Sequence, residues 1–378
     1  MPPSPRTKPA YTVRDVCAVM EAWAPPGAAY EWDRVGLQVG SKSAPVRRVL
    51  TCLTVNDGAV AAAKKARAEM IVAHHPVVWD PLKTLCLDNA QARPALELFC
   101  ADIACFVAHT NLDVVPGGVN HVLAAALGLT GLRPLVRPPQ AAQVKVVTFV
   151  PESHLAAVRE AVCAVGAGEI GAYTQCSFSA PGVGTFLPGA ESQPYSGAKG
   201  RVNAEPEHRL EVLAPKARLG AVIEALRAAH PYETPAYDIV LLENRDDSLS
   251  LGLRGELPKA LRLDAFARQV CQALDVPHVR WVGEASRKVR QVAVLGGSGA
   301  GEIAKLPAEV DVYVTGDVKY HDADLAAARG LALVDPGHAG SEKAIATAIA
   351  VRLRASLKGL LVTAYIEPEL FHVAHSHG

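Results

Sequence analysis

Short apolar segments alternate with helical segments along the first third of the sequence, and this alternation constrains the fold more than any other feature. The pattern predicts strands at 49–53, 70–73 and 103–108 and helices at 12–23, 58–68, 93–101 and 119–127. Strands that alternate with helices over short connections are typical of a mostly parallel sheet covered by helices. An α/β fold is therefore predicted for this part of the chain.

The pattern changes near residue 140 and returns near residue 251. Between these points the predicted elements follow the order β-α-β-β-α-β, which is that of a ferredoxin-like domain. Further strands, at 291–295, 310–315 and 331–334, then alternate with helices again. We therefore predict a discontinuous main domain, formed by residues 1–135 and 251–378, and a second domain inserted at residues 140–250.

Charge and composition argue against two classes of partner. Acidic and basic residues balance at 38 each, so net charge provides no attraction to nucleic acid or to an anionic membrane surface. The N-terminus lacks an apolar signal segment, and no apolar run reaches the roughly 18–20 residues of a membrane span. The eight cysteines form no C-x-x-C pair, most of them lie in apolar segments, and they are interpreted as reduced, structural residues. We therefore predict a cytoplasmic protein.

Four predicted strands of the main domain end in clusters of histidines and acids. The clusters are His74 and His75; His109, Asn111 and Asp113; Asp317 and His321; and Asp335, His338 and Glu342. Ligands of open α/β sheets bind in the crevice outside the carboxyl ends of the strands. Imidazole and carboxylate are the usual ligands of zinc, iron and manganese. The sequence therefore predicts a metal site at these strand ends.

The spacing of the candidate ligands favours two ions over one. Neighbouring side chains of a strand point to opposite faces, so His74 and His75 do not easily bind the same ion. Pro76 ends the strand, and a turn of the backbone there can aim each imidazole at a different ion. His338 and Glu342 are four residues apart, which places both on one face at the start of a helix.

Other residues of the clusters have a functional and a structural interpretation. Asp317 and His321 are candidates for proton transfer, or they only cap and pack a helix. We expect His109 and Asn111 to lie behind the ligands, where His109 orients Asp113 through a hydrogen bond or merely ends its strand. The turn GGSGAGEI, which starts after Leu295, either holds an anion or is simply a tight turn.

The sequence resembles the Nif-three-like family, whose members are often named GTP cyclohydrolase I type 2 homologs. The matching stretches of the main domain are WDRVGLQVG, AHHPVVW, HTNLDVVPGGVN, GGSGAGEI, TGDVKYHDA and DPGHAGSEK, and those of the insert are GVGTFLPG and HPYETPAYDIV. The resemblance covers nearly the whole chain. It implies that the insert is similar to the PII signalling fold and that the protein assembles as a toroidal homohexamer with its metal sites facing an internal cavity.

The resemblance also implies two divalent metal ions per subunit, with zinc, iron and manganese as candidates. It places the metal ligands on His74, His75, Asp113, His338 and Glu342, with Glu342 between the two ions. The chain departs from the family at two positions: Arg34 stands where many members have Asn, and Thr54 stands where many have an acid. We expect the missing acid at position 54 to lie near the cavity and to bear on the substrate class, while the identity of the five ligands is unchanged.

The predicted function is that of a metal-dependent hydrolase. The substrate would be a nucleotide or another phosphorylated small molecule, and the family name suggests GTP. The candidates for general acid/base chemistry are Glu342, His321 and Asp317; no further cofactor site is predicted. The alternative is a protein without catalytic activity, namely a metal-binding sensor, a metallochaperone or a regulatory scaffold, because the insert resembles a sensor domain.

Overall fold

The structure, a computed structural model, describes residues 11–372 and divides into two compact units. The main unit contains the described residues up to Ala24, Ala29–Arg137 and the described residues from Ser250 onward. The inserted unit contains Pro25–Ala28 and Pro138–Leu249. The first ten and the last six residues of the predicted main domain lie outside the described part of the chain.

The helices and strands follow one another along three segments of the chain. The first segment of the main unit has strands Tyr11–Thr12 (β1), Gly36–Val39 (β2), Pro45–Val46 (β3), Arg48–Cys52 (β4), Met70–Ala73 (β5), Ala104–Val107 (β6) and Thr130–Val136 (β7), and helices Val13–Trp23 (α1), Asp57–Ala66 (α2), Arg93–Cys100 (α3), Thr110–Val114 (α4) and Val119–Ala126 (α5). The inserted unit has strands Ala142–Val150 (β8), Ser177–Phe186 (β9), Asn203–Pro215 (β10) and Tyr237–Arg245 (β11), and helices Glu152–Ala164 (α6) and Leu219–Ala229 (α7). The last segment has strands Leu251–Arg262 (β12), Arg280–Val282 (β13), Lys288–Val294 (β14), Val312–Val314 (β15), Ala332–Asp335 (β16) and Leu361–Ala364 (β17), and helices Leu263–Ala273 (α8), Tyr320–Ala328 (α9), His338–Glu342 (α10) and Ala344–Ser356 (α11).

The main unit has two larger sheets, whereas the sequence suggests one. The first has the order β17-β4-β5-β6-β2, in which only β2 is antiparallel to its neighbour. The second has the order β13-β16-β15-β14-β12-β7, with parallel strands β14, β15 and β16 at its centre. Hydrophobic periodicity identifies strands but not which strands share a sheet. The α/β class is confirmed, with mixed rather than mostly parallel pairing.

Two parallel strands in each of the larger sheets are buried along their whole length. Every residue of β5, β6, β15 and β16 is buried, as expected of strands covered on both faces. Ile71 and Cys105 pack with Leu98 of α3, and Val314 and Val334 belong to a second apolar cluster. Because these strands end at polar residues, their apolar packing fixes the positions of those residues.

The inserted unit has the element order β-α-β-β-α-β. Its four strands form an antiparallel sheet in the order β11-β8-β10-β9. Val158 of α6 and Val222 of α7 are fully buried in one apolar cluster with Val146 and Leu210 of the sheet. Both helices therefore pack on the sheet through apolar side chains.

Two further properties of the described residues are the length of the helices and the state of the cysteines. No helix between residues 11 and 372 combines the length and the apolar character needed to cross a membrane. All eight cysteines have free thiols, and Cys52 and Cys105 are buried. Burial raises the pKa of the Cys105 thiol to about 12, so this side chain stays protonated and packs as a small apolar residue.

Candidate metal centre

Three histidines and two carboxylates meet at the carboxyl ends of strands from both sheets of the main unit. His74 and His75 directly follow β5, and Asp113 lies in α4, the short helix after β6. His338 and Glu342 are the first and last residues of α10, which follows β16. The structure thus brings together all five residues that the sequence suggests as metal ligands.

Glu342 lies at the middle of this group, and its side chain is only 4% exposed. Its Oε2 atom is 3.1 Å from Nε2 of His75 and 3.1 Å from Nε2 of His338. Its Oε1 atom is 3.8 Å from Nε2 of His74, which in turn is 3.6 Å from Oδ1 of Asp113. The two carboxylate oxygens therefore face different histidines.

Three sets of potential ligand atoms within the described residues are close enough to hold a metal ion. In each set the atoms lie within 4.8 Å of one another. The sets are His74, Asp113 and Glu342; His75, His338 and Glu342; and His74, His75 and His109. The first two sets share only Glu342, and together they contain all five predicted ligands.

Two buried atoms of the cluster indicate that the residues fit a metal ion. Nε2 of His74 and Oδ1 of Asp113 are buried and have no hydrogen-bond partner. A buried polar atom left in this state costs about 1–3 kcal/mol. Imidazole nitrogen and carboxylate oxygen are both ligands of divalent transition metals, so an ion between them would supply the missing interaction.

Hydrogen bonds behind the cluster orient two of the imidazoles. Nδ1 of His74 is 2.8 Å from the carbonyl oxygen of Ala108. Nδ1 of His338 is 2.7 Å from Oδ2 of Asp317. Since a carbonyl or carboxylate oxygen only accepts, each Nδ1 donates its proton, and the lone pair of the neutral ring is on Nε2, which faces Glu342. Asp317 therefore lies behind His338, one of the predicted ligands, and orients its ring.

The carboxylates and imidazoles of the cluster strongly influence one another's protonation. Burial favours the neutral form of His74, but Asp113 and Glu342 outweigh it and raise its pKa to about 9. The hydrogen bond to Glu342 raises the pKa of His338 to about 9 as well. Burial lowers the pKa of His75 to about 4. Without metal, the site therefore holds protons that an incoming ion must displace.

His109 is held by an acid that the sequence analysis did not single out. Its Nδ1 atom is 2.8 Å from Oδ1 of Asp33, so its partner is Asp33 and not the predicted Asp113. Asp33 also accepts hydrogen bonds from the backbone amide and the hydroxyl of Thr110. Burial opposes ionisation of Asp33, but the bonds from His109 and Thr110 prevail and lower its pKa to about 2. The WDRVG stretch was the only sequence signal for this residue.

The glycine turn after β14 brings the backbone against Glu342. A Cβ atom on Gly297 would lie 2.3 Å from Oε1 of Glu342, and Gly297 has a φ of +66°. Three amides of the turn have partners inside the protein: those of Gly296, Gly297 and Gly299 donate to side-chain oxygens of Asn120, Ser341 and Thr315. The interpretation as a tight turn is therefore favoured over that of an anion-binding loop.

Comparison with known proteins shows to which family the chain belongs. A family model described as Duf34/NIF3 (NGG1p interacting factor 3) matches residues 11–368. The chain belongs to this family. The resemblance drawn from the sequence motifs is therefore confirmed.

Duf34/NIF3 relatives match over most of their length. The GTP cyclohydrolase 1 type 2 homolog of Halalkalibacterium halodurans is 39% identical over 344 residues, which cover 91% of this chain and 92% of the relative. The protein of the same name from Bacillus subtilis is 39% identical over 326 residues, with coverage of 86% and 87%. A crystal structure of a Bacillus cereus protein related to NIF3 superposes with a TM-score of 0.77 at 38% identity, covering 96% of this chain and 99% of that one.

Thr54, one of the two departures from the common Duf34/NIF3 pattern, touches a predicted ligand. Its hydroxyl is 2.8 Å from Nδ1 of His75, so this departure lies directly beside the candidate metal cluster. The reason is strand register: Cys52 of β4 pairs with Ala73 of β5, and two residues further on Thr54 lies beside His75. Arg34, the other departure, contacts Asp33 through its backbone amide and its guanidinium.

Two other predicted site residues lie apart from the cluster or only support it. Asn111 is buried and donates from Nδ2 to the carbonyl oxygen of Ala24, 2.7 Å away, which ties α4 to the end of α1. His321 is exposed in the first turn of α9 and contacts the ring of Tyr320. Within residues 11–372, no hydrogen bond or ion pair joins His321 to the cluster. His321 therefore does not contact the predicted ligands, although it lies only four residues after Asp317 in the sequence.

Proposed function

We propose that each subunit binds two divalent metal ions and acts as a metal-dependent hydrolase on a nucleotide or a related phosphorylated molecule. The proposal rests on the way the five ligands divide around Glu342. His74, Asp113 and Oε1 of Glu342 would hold one ion. His75, His338 and Oε2 of Glu342 would hold the other. A buried carboxylate whose two oxygens face separate ligand sets is suited to bridge two ions.

The ligand set restricts the metal and supports a catalytic site. Imidazole and carboxylate ligands without thiolates suit zinc, iron or manganese. Each proposed ion has three protein ligands, which is the arrangement of catalytic sites that keep a position for water or substrate. When bound, such ions acidify water and polarise the substrate, which is the chemistry that hydrolysis requires.

We assign proton transfer to His109 rather than to His321. His109 donates from Nδ1 to Asp33, and its other ring nitrogen is the atom left to face His74 and His75. An imidazole held by a buried carboxylate has a fixed tautomer and orientation, as a general acid or base requires. Asp33 therefore acts as the positioning residue of His109.

A row of exposed aromatic rings beside His109 supports a substrate with a planar ring. Tyr30 stacks on Trp32 with ring centroids 5.6 Å apart, Trp32 is 5.9 Å from Trp79, and Trp79 is 5.7 Å from His109. We call Tyr30, Trp32 and Trp79 the aromatic shelf. Trp32 and Trp79 are 56% and 47% exposed, and exposed rings of this kind stack on heteroaromatic bases. The shelf favours a nucleotide over a phosphoester without a ring.

The inserted unit favours a second, regulatory function. Its β-α-β-β-α-β order and antiparallel sheet support the proposal that it is PII-like. A sensor domain would regulate the metal site, or it would belong to a protein without catalytic activity.

We also propose that the protein assembles as a homohexamer. Light scattering tests it, because a hexamer has six times the 39.8 kDa mass of the chain.

A turnover assay separates the hydrolase from the metal-binding sensor. Protein loaded with zinc, iron(II) or manganese is incubated with GTP, other nucleotides and ring-free phosphoesters, beside His109→Ala and Asp324→Asn. Asp324 is an exposed acid of α9 and serves as the control. A hydrolase loses turnover in His109→Ala while its metal content stays, and Asp324→Asn behaves as wild type. Fully loaded protein that turns over none of these compounds would contradict the hydrolase and favour the sensor.

A further inference from the structure

The inserted unit contains a cavity of its own that plays no part in the metal centre. The cavity has a volume of 640 Å³ and is lined only by residues between Phe149 and Ala236. That size is typical of sites for small organic molecules. Strands β8, β9 and β10 form one wall, and segments 188–196 and 232–236 form the remainder.

The wall of the cavity contains four aromatic rings. Phe149, Phe186, Tyr195 and Tyr232 all line it, and the rings of Tyr195 and Tyr232 lie 5.7 Å apart at an angle of 45°. Tyr195 is 48% exposed although it is a large aromatic residue. The faces of aromatic rings attract cations as well as apolar groups.

A carboxylate is built into this aromatic wall. Glu207 of β10 accepts a hydrogen bond from the hydroxyl of Tyr232 at 2.7 Å. A Cβ atom on Gly184 would lie 2.2 Å from Oε2 of Glu207, so the side chain occupies space that only glycine leaves free on β9. Tyr232 and Gly184 thus hold the acid in place from two sides.

The charge of the lining is acidic. Glu207 and Glu233 are its two acids, and Arg209 is its one basic residue among those that line the cavity. Arg209 already donates from Nε to Glu211, outside the lining, and its guanidinium lies over the ring of Phe149. A cavity with two acids and a base that is already paired does not suit a phosphate or carboxylate ligand.

We propose that this cavity binds a small organic cation, namely an ammonium or amidinium group carried on an aromatic or apolar body. The charged group would pair with Glu207, and the body would lie between the rings of Tyr195 and Tyr232. Charge-assisted hydrogen bonds and cation–π contacts act together in such a site. The inserted unit would then respond to an amine and not to a nucleotide.

A series of three probes with one ring system and different charges tests the proposal. The full-length protein is titrated by calorimetry with tryptamine (cationic), tryptophol (neutral) and indole-3-acetate (anionic). Tryptamine is expected to bind at least about tenfold more tightly than the other two. Glu207→Gln keeps the size of the side chain and the bond from Tyr232, and it should weaken tryptamine about tenfold while leaving tryptophol unchanged.

Matched variants locate the binding. Glu243→Gln changes an exposed acid of β11 that does not line the cavity, and it should leave the affinity for tryptamine unchanged. Tyr195→Ala should weaken tryptamine and tryptophol alike, because both carry the ring. The proposal is overturned by equal affinity for the three probes, by an unchanged affinity of Glu207→Gln for tryptamine, or by no binding of any probe.

Discussion

Oδ2 of Asp317 lies 2.7 Å from Nδ1 of His338, whose Nε2 atom is 3.1 Å from Glu342. The acid thus holds the ring with its second nitrogen toward the metal centre, although Asp317 is itself no member of the ligand sets. Residues in this position orient a ligand and raise its basicity. Asp317 also adopts a φ of +55°, a left-handed backbone conformation that is uncommon for residues other than glycine.

Asp317→Asn is therefore expected to weaken metal binding without preventing it. The amide can donate to Nδ1 or accept from it, so the tautomer and orientation of His338 are no longer fixed. We expect a loss of about 10- to 100-fold in affinity for the ion held by His75, His338 and Glu342, measured by competition with a chromogenic chelator. Asp324→Asn, which changes an exposed acid of α9 away from the cluster, is the control. Equal affinities of wild type and Asp317→Asn would show that the contact has no role in binding.

Gly297→Ala is expected to displace Glu342. The new methyl group would lie 2.3 Å from Oε1 of Glu342, and the φ of +66° is itself unfavourable for alanine. We expect the free energy of unfolding to fall by roughly 1–3 kcal/mol and both ions to be lost. Gly301→Ala is the matched control, since a Cβ atom there meets no atom within 4 Å. Urea unfolding and metal analysis of both variants measure the difference, and similar results for the two would contradict it.

Asp33 is expected to make stability depend on pH in the acidic range. Its pKa falls from 3.8 to about 2 in the folded protein, so the unfolded chain binds the proton more readily. The resulting stabilisation, about 2 kcal/mol, is fully present above pH 4 and is lost as the pH falls toward 2. Urea unfolding of metal-free wild type and Asp33→Asn should therefore differ most above pH 4 and converge below it. A difference that is constant between pH 6 and pH 3 would rule this out.

Trp79→Ala is expected to raise the KM for a nucleotide substrate. Stacking of a base on an aromatic side chain is worth about 1–3 kcal/mol, so KM should rise by roughly 5- to 150-fold with little change in kcat. Trp281→Ala removes a tryptophan with the same 47% exposure that lies outside the aromatic shelf, and it should have no effect. A ring-free phosphoester should not distinguish the two variants. The aromatic shelf has no role in substrate binding if Trp79→Ala and Trp281→Ala give the same KM.

The parts of the site that follow buried strands could be predicted from the sequence. The apolar run that ends at Ala73 and the polar residues after it locate His74 and His75 at a strand end, because parallel strands are apolar throughout. The same pattern locates Asp113, His338 and Glu342. Short-range patterns are sufficient here because each ligand lies within seven residues of the strand that carries it.

The residues that support the site depend on contacts that no local pattern reveals. Asp33 precedes an edge strand and reaches His109 across 76 positions of the sequence. Thr54 reaches His75 only because β4 and β5 pair in one particular register. His321 failed as a catalytic candidate for the opposite reason, since it is near Asp317 in sequence but lies on an exposed turn of α9. Sheet partners and helix orientation decide these contacts.

The metal content per subunit of freshly purified, tag-free protein tests the central claim most directly. Wild type, His75→Ala and Glu342→Gln are prepared without chelators, and the metal is measured by mass spectrometry. Because Glu342 belongs to both ligand sets and His75 to one, we predict about two ions in wild type, about one in His75→Ala and nearly none in Glu342→Gln. A single ion in wild type, or the same content in the two variants, would contradict a dinuclear centre shared through Glu342.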